Sequence, residues 1–321
     1  MVDLSRFEDF LLSSSIQYET NASLSRKTWI KTGGICKYWV IPSTLQQLET
    51  VCKYLYENNI EFDIVGQTSN IFFHESYSPG VVISTVHLNK YSFDESVITC
   101  DCGVSVVQLA KDCLAKGLAG FSGLTGLPGT VAASVYNNAG CFGCSISSLL
   151  LSVDCLLPDG TVKTFCKDEL GYGHRTSVFK RKEIEGIILS IRLGVSKATD
   201  IEFEKNESEK AKKYRADNQE RRFPNLGSVY STLKLKKNVK NFVAVMASRA
   251  LTMSNRSNYK KSFKKTILAL YGFSDLANYI SDKNINTFVW IDSGSEAKFD
   301  RYKEFMKRAY NGLRIEIEER K

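Results

Sequence analysis

The residues 124–143, LTGLPGTVAASVYNNAGCFG, combine glycines at 126, 129, 140 and 143 with Pro128, an Asn137-Asn138 pair and no charge. Small residues with accessible N–H groups let a backbone approach a flat or phosphorylated ligand closely. The same composition also suits a close-packed crossover in a core, and residue type alone leaves these two readings level. Glycines at 126, 129 and 140 with Pro128 predict against a helix here, and the apolar Leu127, Tyr136 and Phe142 argue against a linker. A second candidate is VGQTSN, 65–70, where Gly66, Gln67, Thr68, Ser69 and Asn70 form a polar turn after a short apolar run, suited to a pyrophosphate. It is not the G-x-G-x-x-G fingerprint of the classical dinucleotide fold.

Three further places carry reactive side chains. Arg175, in GYGHRTSVFK, could hold a carboxylate with its planar fork, and His174 beside it is an acid–base candidate against the commoner structural role. Ser228, in FPNLGSVYS, could donate a proton, but no histidine partner marks it as a hydrolytic nucleophile. The terminal IEIEER alternates, which predicts one strand with Glu316 and Glu318 on one face and Ile315 and Ile317 on the other.

The elements around these residues follow from periodicity. A helix is expected over 1–20, strands at WIKTGG and KYWVIP, a capped helix in STLQQLETVCKYLYENN, and strands at FDIVG and GVVISTVH. SVVQLAKDCLAKG predicts a helix closed by Gly117. SLLLSVDCLLPDGTVKTFC predicts two strands joined at Pro158-Asp159-Gly160, and GIILSIRLGV a further strand. The stretch 198–224 has 14 charged residues among 27, the mark of a solvated helix face and linker. Beyond it come LGSVYSTLKLKK, a helix near 261–280, a strand at INTFVWID, the helix AKFDRYKEFMKRAYNG and the terminal strand. These composition shifts divide the chain at about 85 and 195, into 1–85, 86–195 and 196–321.

With 321 residues, 43% hydrophobic and 24% charged, the chain has the composition of an ordinary globular protein of more than one core. The net charge of +8 favours anionic partners without choosing among them, and aromatic–basic interleaving for nucleic acid is lacking. No apolar run reaches spanning length and the N-terminus lacks a secretion pattern, so a cytoplasmic protein without membrane insertion is expected. Nine cysteines, an odd number, fit free thiols in a reducing compartment. The spacings Cys100-Cys102 and Cys141-Cys144 invite a metal, but with three scattered histidines they read better as small hydrophobes, and no metal is expected.

In their order along the chain, TWIKTGG, VGQTSNIFF, GLTGLPGTVAASVYNNAGCFG, GHRTSVFK, GSVY, NTFVWIDSGSEAKFD and GLRIEIEE resemble the UDP-N-acetylenolpyruvoylglucosamine reductase family over about nine-tenths of the chain. The resemblance implies an α+β fold of the FAD-binding, vanillyl-alcohol-oxidase-like type. Residues 1–85 and 86–195 would be two FAD-binding subdomains, and 196–321 a substrate-binding domain. It implies non-covalent FAD, NADPH as reductant and a UDP-linked enolpyruvyl sugar as the small-molecule substrate, reduced to UDP-N-acetylmuramate for peptidoglycan. By position, the flavin would be held by Gly66, Gln67, Thr68, Ser69 and Asn70, by Thr125, Gly126, Pro128, Gly129, Thr130, Ala133, Asn138, Ala139 and Gly140, and by Arg175 and Ile188. Arg175 matches the family's active-site arginine, Ser228 its proton donor and Glu318 its terminal carboxylate, with Glu316 the alternative one alternation away.

The chain departs from the family pattern in places. His174 stands where a tyrosine is usual, Gln67-Thr68 where Gly-Gly is usual, and Ser231-Thr232-Leu233 where Lys-Asn-Pro is usual. A basic segment over 234–265 and Asn286-Thr287-Phe288 replace a glycine-rich passage with its histidine. These changes leave room for a flavin reductase of another enolpyruvyl or nucleotide-linked sugar, or for a flavin-binding homologue without turnover. Retention of Arg175, Ser228 and Glu318 speaks against the last.

Overall fold

A computed structural model describes residues 4–253 and 255–321. Its elements run α1 (Ser5–Ser13), β1 (Gln17–Ser23), α2 (Leu24–Lys27), β2 (Ile35–Ile41), α3 (Leu45–Glu57), β3 (Phe62–Val65), β4 (Ile71–Phe73), β5 (Val81–Ser84), β6 (Tyr91–Asp94), β7 (Val97–Asp101) and α4 (Val106–Ala115). They continue with α5 (Val131–Asn137), β8 (Gly140–Cys141), β9 (Cys144–Ser145), α6 (Ile146–Leu149), β10 (Leu150–Leu156), β11 (Val162–Cys166), β12 (Ile187–Gly194) and α7 (Ile201–Asn218). The last are β13 (Tyr230–Leu235), α8 (Val239–Leu251), α9 (Tyr259–Tyr271), α10 (Ser295–Ala309), β14 (Tyr310–Ile315) and β15 (Glu318–Arg320). The fold is α+β, and the chain forms two compact units. The first takes residues up to Ser23, Ile35–Thr68 and Ser78–Lys213; the second takes Leu24–Gly34, Ser69–Tyr77 and Tyr214–Lys321.

The first unit holds two sheets. In one, β2, β5 and β3 run parallel, and β1 pairs antiparallel with β2. The parallel order requires a crossover, which α3 provides. Thr44 caps α3 by accepting the Gln47 N–H, and Gln47 Oε1 accepts the Ser43 N–H, a reciprocal pair that satisfies two orphan donors. Leu48, Val51, Cys52 and Leu55 then face Val40, Val81 and Ile83. The other sheet is antiparallel in the order β11-β10-β12-β7-β6. Its β10–β11 turn closes through Gly160 N–H to Leu157 O, with Gly160 left-handed at φ +82°. Ile98, Leu109, Val131, Val153 and Ile191 form the core against α4 and α5.

The second unit is built around aromatic rings. Phe72, Phe288, Trp290, Phe299 and Tyr302 are buried together, with ring centroids of Phe288 and Phe299 5.0 Å apart. β13 pairs antiparallel with β14, and β15 pairs in parallel with β4.

Several local expectations fail for local reasons. The helix expected over 1–20, whose first three residues lie outside those described, ends at Ser13; Ser15 is left-handed and the chain turns into β1. WIKTGG is not a strand: Thr28 Oγ1 bonds both the O and the N–H of Thr32, a side-chain turn that competes with a ladder. The 124–143 stretch does contain a short helix, α5, because its glycines stand at the ends of the helical turns rather than inside them. Thr130 caps the start by accepting the Ala133 N–H, and Asn138 at φ +46° closes the end. INTFVWID makes isolated bridges only. The expected helix near 261–280 is α9, stopped at left-handed Gly272, and a preceding helix, α8, was not anticipated. The terminal segment is two strands with different partners, so Ile317 is buried while Ile315 is exposed.

Candidate functional site

In the first unit the two glycine-containing segments meet. The Gly129 N–H donates to Gln67 Oε1 at 3.0 Å. A Cβ on Gly66 would stand 2.6 Å from Thr130 Oγ1 and 2.8 Å from its Cγ2, so no side chain fits there. Gly129 at φ +122° and buried Thr68 at φ +54° hold backbone conformations that leave N–H groups outside a regular ladder. Gly126 is left-handed as well, and Pro128 is exposed. Thr125 Oγ1 accepts from Ser208 Oγ at 3.0 Å, tying the stretch to α7. Gly140 opens the β8–β9 hairpin, where a Cβ would lie 2.4 Å from Cys144 O; Phe142 and Gly143 at its tip are both left-handed. Ala139 is fixed by its N–H to Ser134 O, and Ile188 is buried in β12 beside Cys155.

Arg175 lies in a tight turn in which Gly173 and Thr176 exchange backbone bonds, and Arg175 takes φ +56°. Arg175 is half-buried and His174 exposed. Three bonds fasten this loop to α5: Asn138 Nδ2 to Gly173 O at 2.8 Å, Ser177 Oγ to Tyr136 O at 2.6 Å and Lys180 Nζ to Asn137 Oδ1 at 2.6 Å. The two loops that periodicity treated separately are therefore one surface. Ser177 and Lys180 carry this role without any sequence signal beyond their place near Arg175.

In the second unit a backbone relay joins the other candidates. Glu316 N–H donates to Val229 O at 2.9 Å, next to Ser228. Asn70 Nδ2 donates to Glu316 O at 3.2 Å, and Glu318 N–H donates to Asn70 O at 2.9 Å. Asn70, Ser228 and the terminal acids thus share one neighbourhood, while Ser69 precedes Asn70 in the same segment. Glu318 accepts from Arg320 Nη2 at 3.2 Å. Gly227, left-handed and bonded to Asn225 Oδ1, delivers the chain to half-buried Ser228.

Two supports of this relay were not foreseen. His74 is buried, with Nδ1 2.7 Å from Glu296 Oε1 and Nε2 3.2 Å from Glu319 Oε2, and Lys303 Nζ also reaches Glu319 at 3.1 Å. Burial works against the charged form of Glu319, but the His74 bond and the Lys303 charge outweigh it and hold the carboxyl below its ordinary value. Glu220 is likewise buried. Its carboxylate oxygens accept the Arg221 and Arg222 N–H groups and Ser281 Oγ, and its backbone O accepts Asn225 Nδ2, whose Oδ1 holds the Gly227 N–H. Burial is again outweighed, here by the Arg222 and Ser281 bonds, and the carboxyl stays below its ordinary value. In QERRFP nothing distinguishes this glutamate from its solvated neighbours.

Two of the cysteines are buried in the sheet and the turn that follows it. Burial pushes the Cys100 and Cys102 thiols up to about 12, which leaves them inert at neutral pH. Cys141 Sγ bonds Gly123 O.

A relative from Trichormus variabilis named UDP-N-acetylenolpyruvoylglucosamine reductase is 30% identical over 227 residues, covering 70% of this chain and 68% of its own. One of the same name from Halalkalibacterium halodurans is 32% identical over 215 residues, covering 67% and 70%. The chain belongs to the UDP-N-acetylenolpyruvoylglucosamine reductase family. The family model of the FAD binding domain matches residues 36–165. A reductase of this family from Thermus caldophilus, 17% identical, matches the fold with a TM-score of 0.67 over 95% of this chain and 98% of that one.

The first unit can be tested against the cofactor that this family model names. Asn138 Oδ1 is buried and accepts no bond from the described residues, and the Tyr172 hydroxyl is buried and equally unpartnered. Gly66 packs on the Thr130 side chain, and Gly129 nearby is held at φ +122°. A polar ligand with both donor and acceptor edges and a pyrophosphate fits this set.

Proposed function

We propose that the protein is an NADPH-dependent, FAD-containing reductase that converts UDP-N-acetylglucosamine enolpyruvate to UDP-N-acetylmuramate, a cytoplasmic step toward peptidoglycan. Family membership together with the joined Gly66–Thr130 and Asn138–Arg175 surface carries this reading. Gly66, Gln67, Thr68, Gly129, Thr130 and Asn138 would hold FAD, with Ser69, Asn70, Thr125, Gly126, Pro128, Ala133, Ala139, Gly140 and Ile188 alongside. When bound, FAD supplies the redox chemistry that passes hydride from NADPH to the enolpyruvyl carbon. In functional terms 1–85 and 86–195 are the two FAD-binding subdomains, each with one of the sheets, and 196–321 binds the sugar nucleotide.

Hydride addition to one enolpyruvyl carbon drives negative charge toward the carboxylate. The Arg175 guanidinium would orient that carboxylate and stabilise the charge as it develops. Ser228 would then give its hydroxyl proton to the neighbouring carbon. A serine hydroxyl is a weak acid, so the step depends on placement. Left-handed Gly227 and the Val229–Glu316 bond on either side of Ser228 support this role, and Glu318, fixed by its N–H to Asn70, would serve as the assisting carboxylate.

The test separates the two half-reactions. Purified protein should show a flavin spectrum that NADPH bleaches without oxygen and that the UDP-linked enolpyruvyl sugar restores. Ser228→Ala should leave bleaching by NADPH intact and slow restoration by about 10²–10⁴-fold. Flavin that is bleached by NADPH yet ignores this sugar sinks the substrate assignment; equal loss in both halves sinks the role of Ser228.

A further inference from the structure

The basic segment over 234–265 carries none of the residues given individual roles in the reaction above, and its first helix turns large apolar side chains outward. From Arg221 to Ser274 the sequence contains no aspartate or glutamate and twelve lysines and arginines. Within it, α8 turns Asn241, Ala244 and Ser248 inward, followed by Thr252. Ser248 Oγ donates to Ala244 O at 2.6 Å, Thr252 Oγ1 to Ser248 O at 2.7 Å and Asn241 Nδ2 to the distant Ala309 O at 2.9 Å, while Asn241 Oδ1 is buried with no bond from the described residues. Apart from buried Ala244 and half-buried Val245, the larger apolar side chains are the outward ones. Val239, Phe242, Val243 and Met246 repeat at i, i+3, i+4 and i+7, and Leu251 and Met253 follow. Val239 is 78% exposed, Phe242 66% and Met253 81%.

Single exposed apolar residues need no explanation, but a continuous row along one helix marks a surface that something covers. An open groove of about 570 Å³ at the start of α8, lined by Leu235, Val239, Phe242 and Val245 with Lys236 and Lys237, continues the row. Lys236, Lys237, Lys240, Arg249 and Arg256 surround it in sequence. Asp282 pairs with Lys261 and Lys264 on α9, outside α8.

We propose that this face docks on an anionic lipid bilayer surface, with Phe242 and Met246 entering the headgroup–acyl boundary and the cations on lipid phosphates. The charge pattern selects this occupant. Protein interfaces are depleted in lysine, and here lysines dominate the surround. A second copy on a two-fold axis would set one basic surround against the other. Exposed apolar side chains with lysines and arginines around them are what an interfacial helix presents to anionic lipid. The surface lies on the bilayer rather than through it: no described helix is long and apolar enough to cross a membrane. The inference does not rest on the assigned reaction.

Co-sedimentation of the full chain with vesicles tests it. Vesicles of phosphatidylcholine with about 30 mol % phosphatidylglycerol should bind the protein at least about tenfold more strongly than phosphatidylcholine alone, and about 0.5 M salt should remove the difference. F242S/M246S should lower binding to the anionic vesicles about tenfold, and K236E/K237E/K240E should abolish the anionic preference. Leu151→Ser, an exposed apolar site in the first unit, should change nothing. Lys236 is half-buried with its Nζ bonded to Lys307 O at 2.6 Å and the other substituted side chains are exposed, so melting temperatures are compared to show that the variants fold. Binding to neither vesicle, binding without anionic preference, or binding indifferent to both variant sets overturns the proposal. So does a concentration-dependent dimer in sedimentation velocity that F242S/M246S dissolves, which would make a second copy the occupant.

Discussion

The Gly66–Thr130 contact in the first unit and the His74 cluster in the second perform the same task by opposite means. Each fixes a candidate ligand-bearing segment against a partner far away in sequence. The first does so by exclusion: a missing Cβ lets the Gly66 backbone close on the Thr130 side chain to a distance at which any Cβ would collide. The second does so with charge, placing a buried imidazole between Glu296 and Glu319 with Lys303 alongside. Steric registration is indifferent to solution conditions, whereas charge registration follows pH.

The two variants expected to have the larger effects probe this contrast directly. Gly66→Ala should cost about 3 kcal/mol of stability by overpacking, with flavin lost on gel filtration, and denaturant titrations should give the same penalty at pH 5 and pH 8. A penalty that varies with pH would break the comparison. His74→Ala should cost about 2 kcal/mol near neutrality, since it strips a bond from two sheltered carboxylates. Here the penalty should shrink with acid. Because the folded Glu319 carboxyl sits below its ordinary value of 4.5, its contribution is complete above that pH and lost as pH falls through the folded value. An H74A penalty constant from pH 7 to pH 3 would show that packing, not charge, holds the cluster. Thr44→Ala, which removes the cap of α3 away from both regions, should cost about 1 kcal/mol at every pH and serves as the baseline.

The same contrast explains what could be foreseen. Glycine and proline act on the backbone where they stand, so the unusual backbone of 65–70 and 124–143 is legible in the sequence. Their effect was misjudged only in detail: Gly129 and Gly140 bracket α5, and the seven residues between Thr130 and Asn138 suffice for two turns. Charge registration leaves no such trace. His74, Glu220 and Glu319 acquire their roles from partners 222, 61 and 245 positions distant, and nothing local separates them from solvated residues. The alternation in IEIEER misled for a related reason, since period two predicts a strand but not a change of partner at Glu316. The sequence reading takes the segment holding α8 only as basic, although Val239, Phe242, Val243 and Met246 repeat at helical spacing; the row faces outward, the opposite of what such a pattern ordinarily signals.

The second unit draws on three separate pieces of chain, two of them short and early and one long and late. On the ribosome, at about 5–20 residues per second, Leu24–Gly34 and Ser69–Tyr77 emerge on the order of tens of seconds before the strand β15 that pairs with β4 exists. Phe72, buried in the finished protein against Trp290 and Phe299, therefore spends that interval without those neighbours. Nascent chains stalled before residue 310 should be captured by chaperones through this segment, and full-length chains should not.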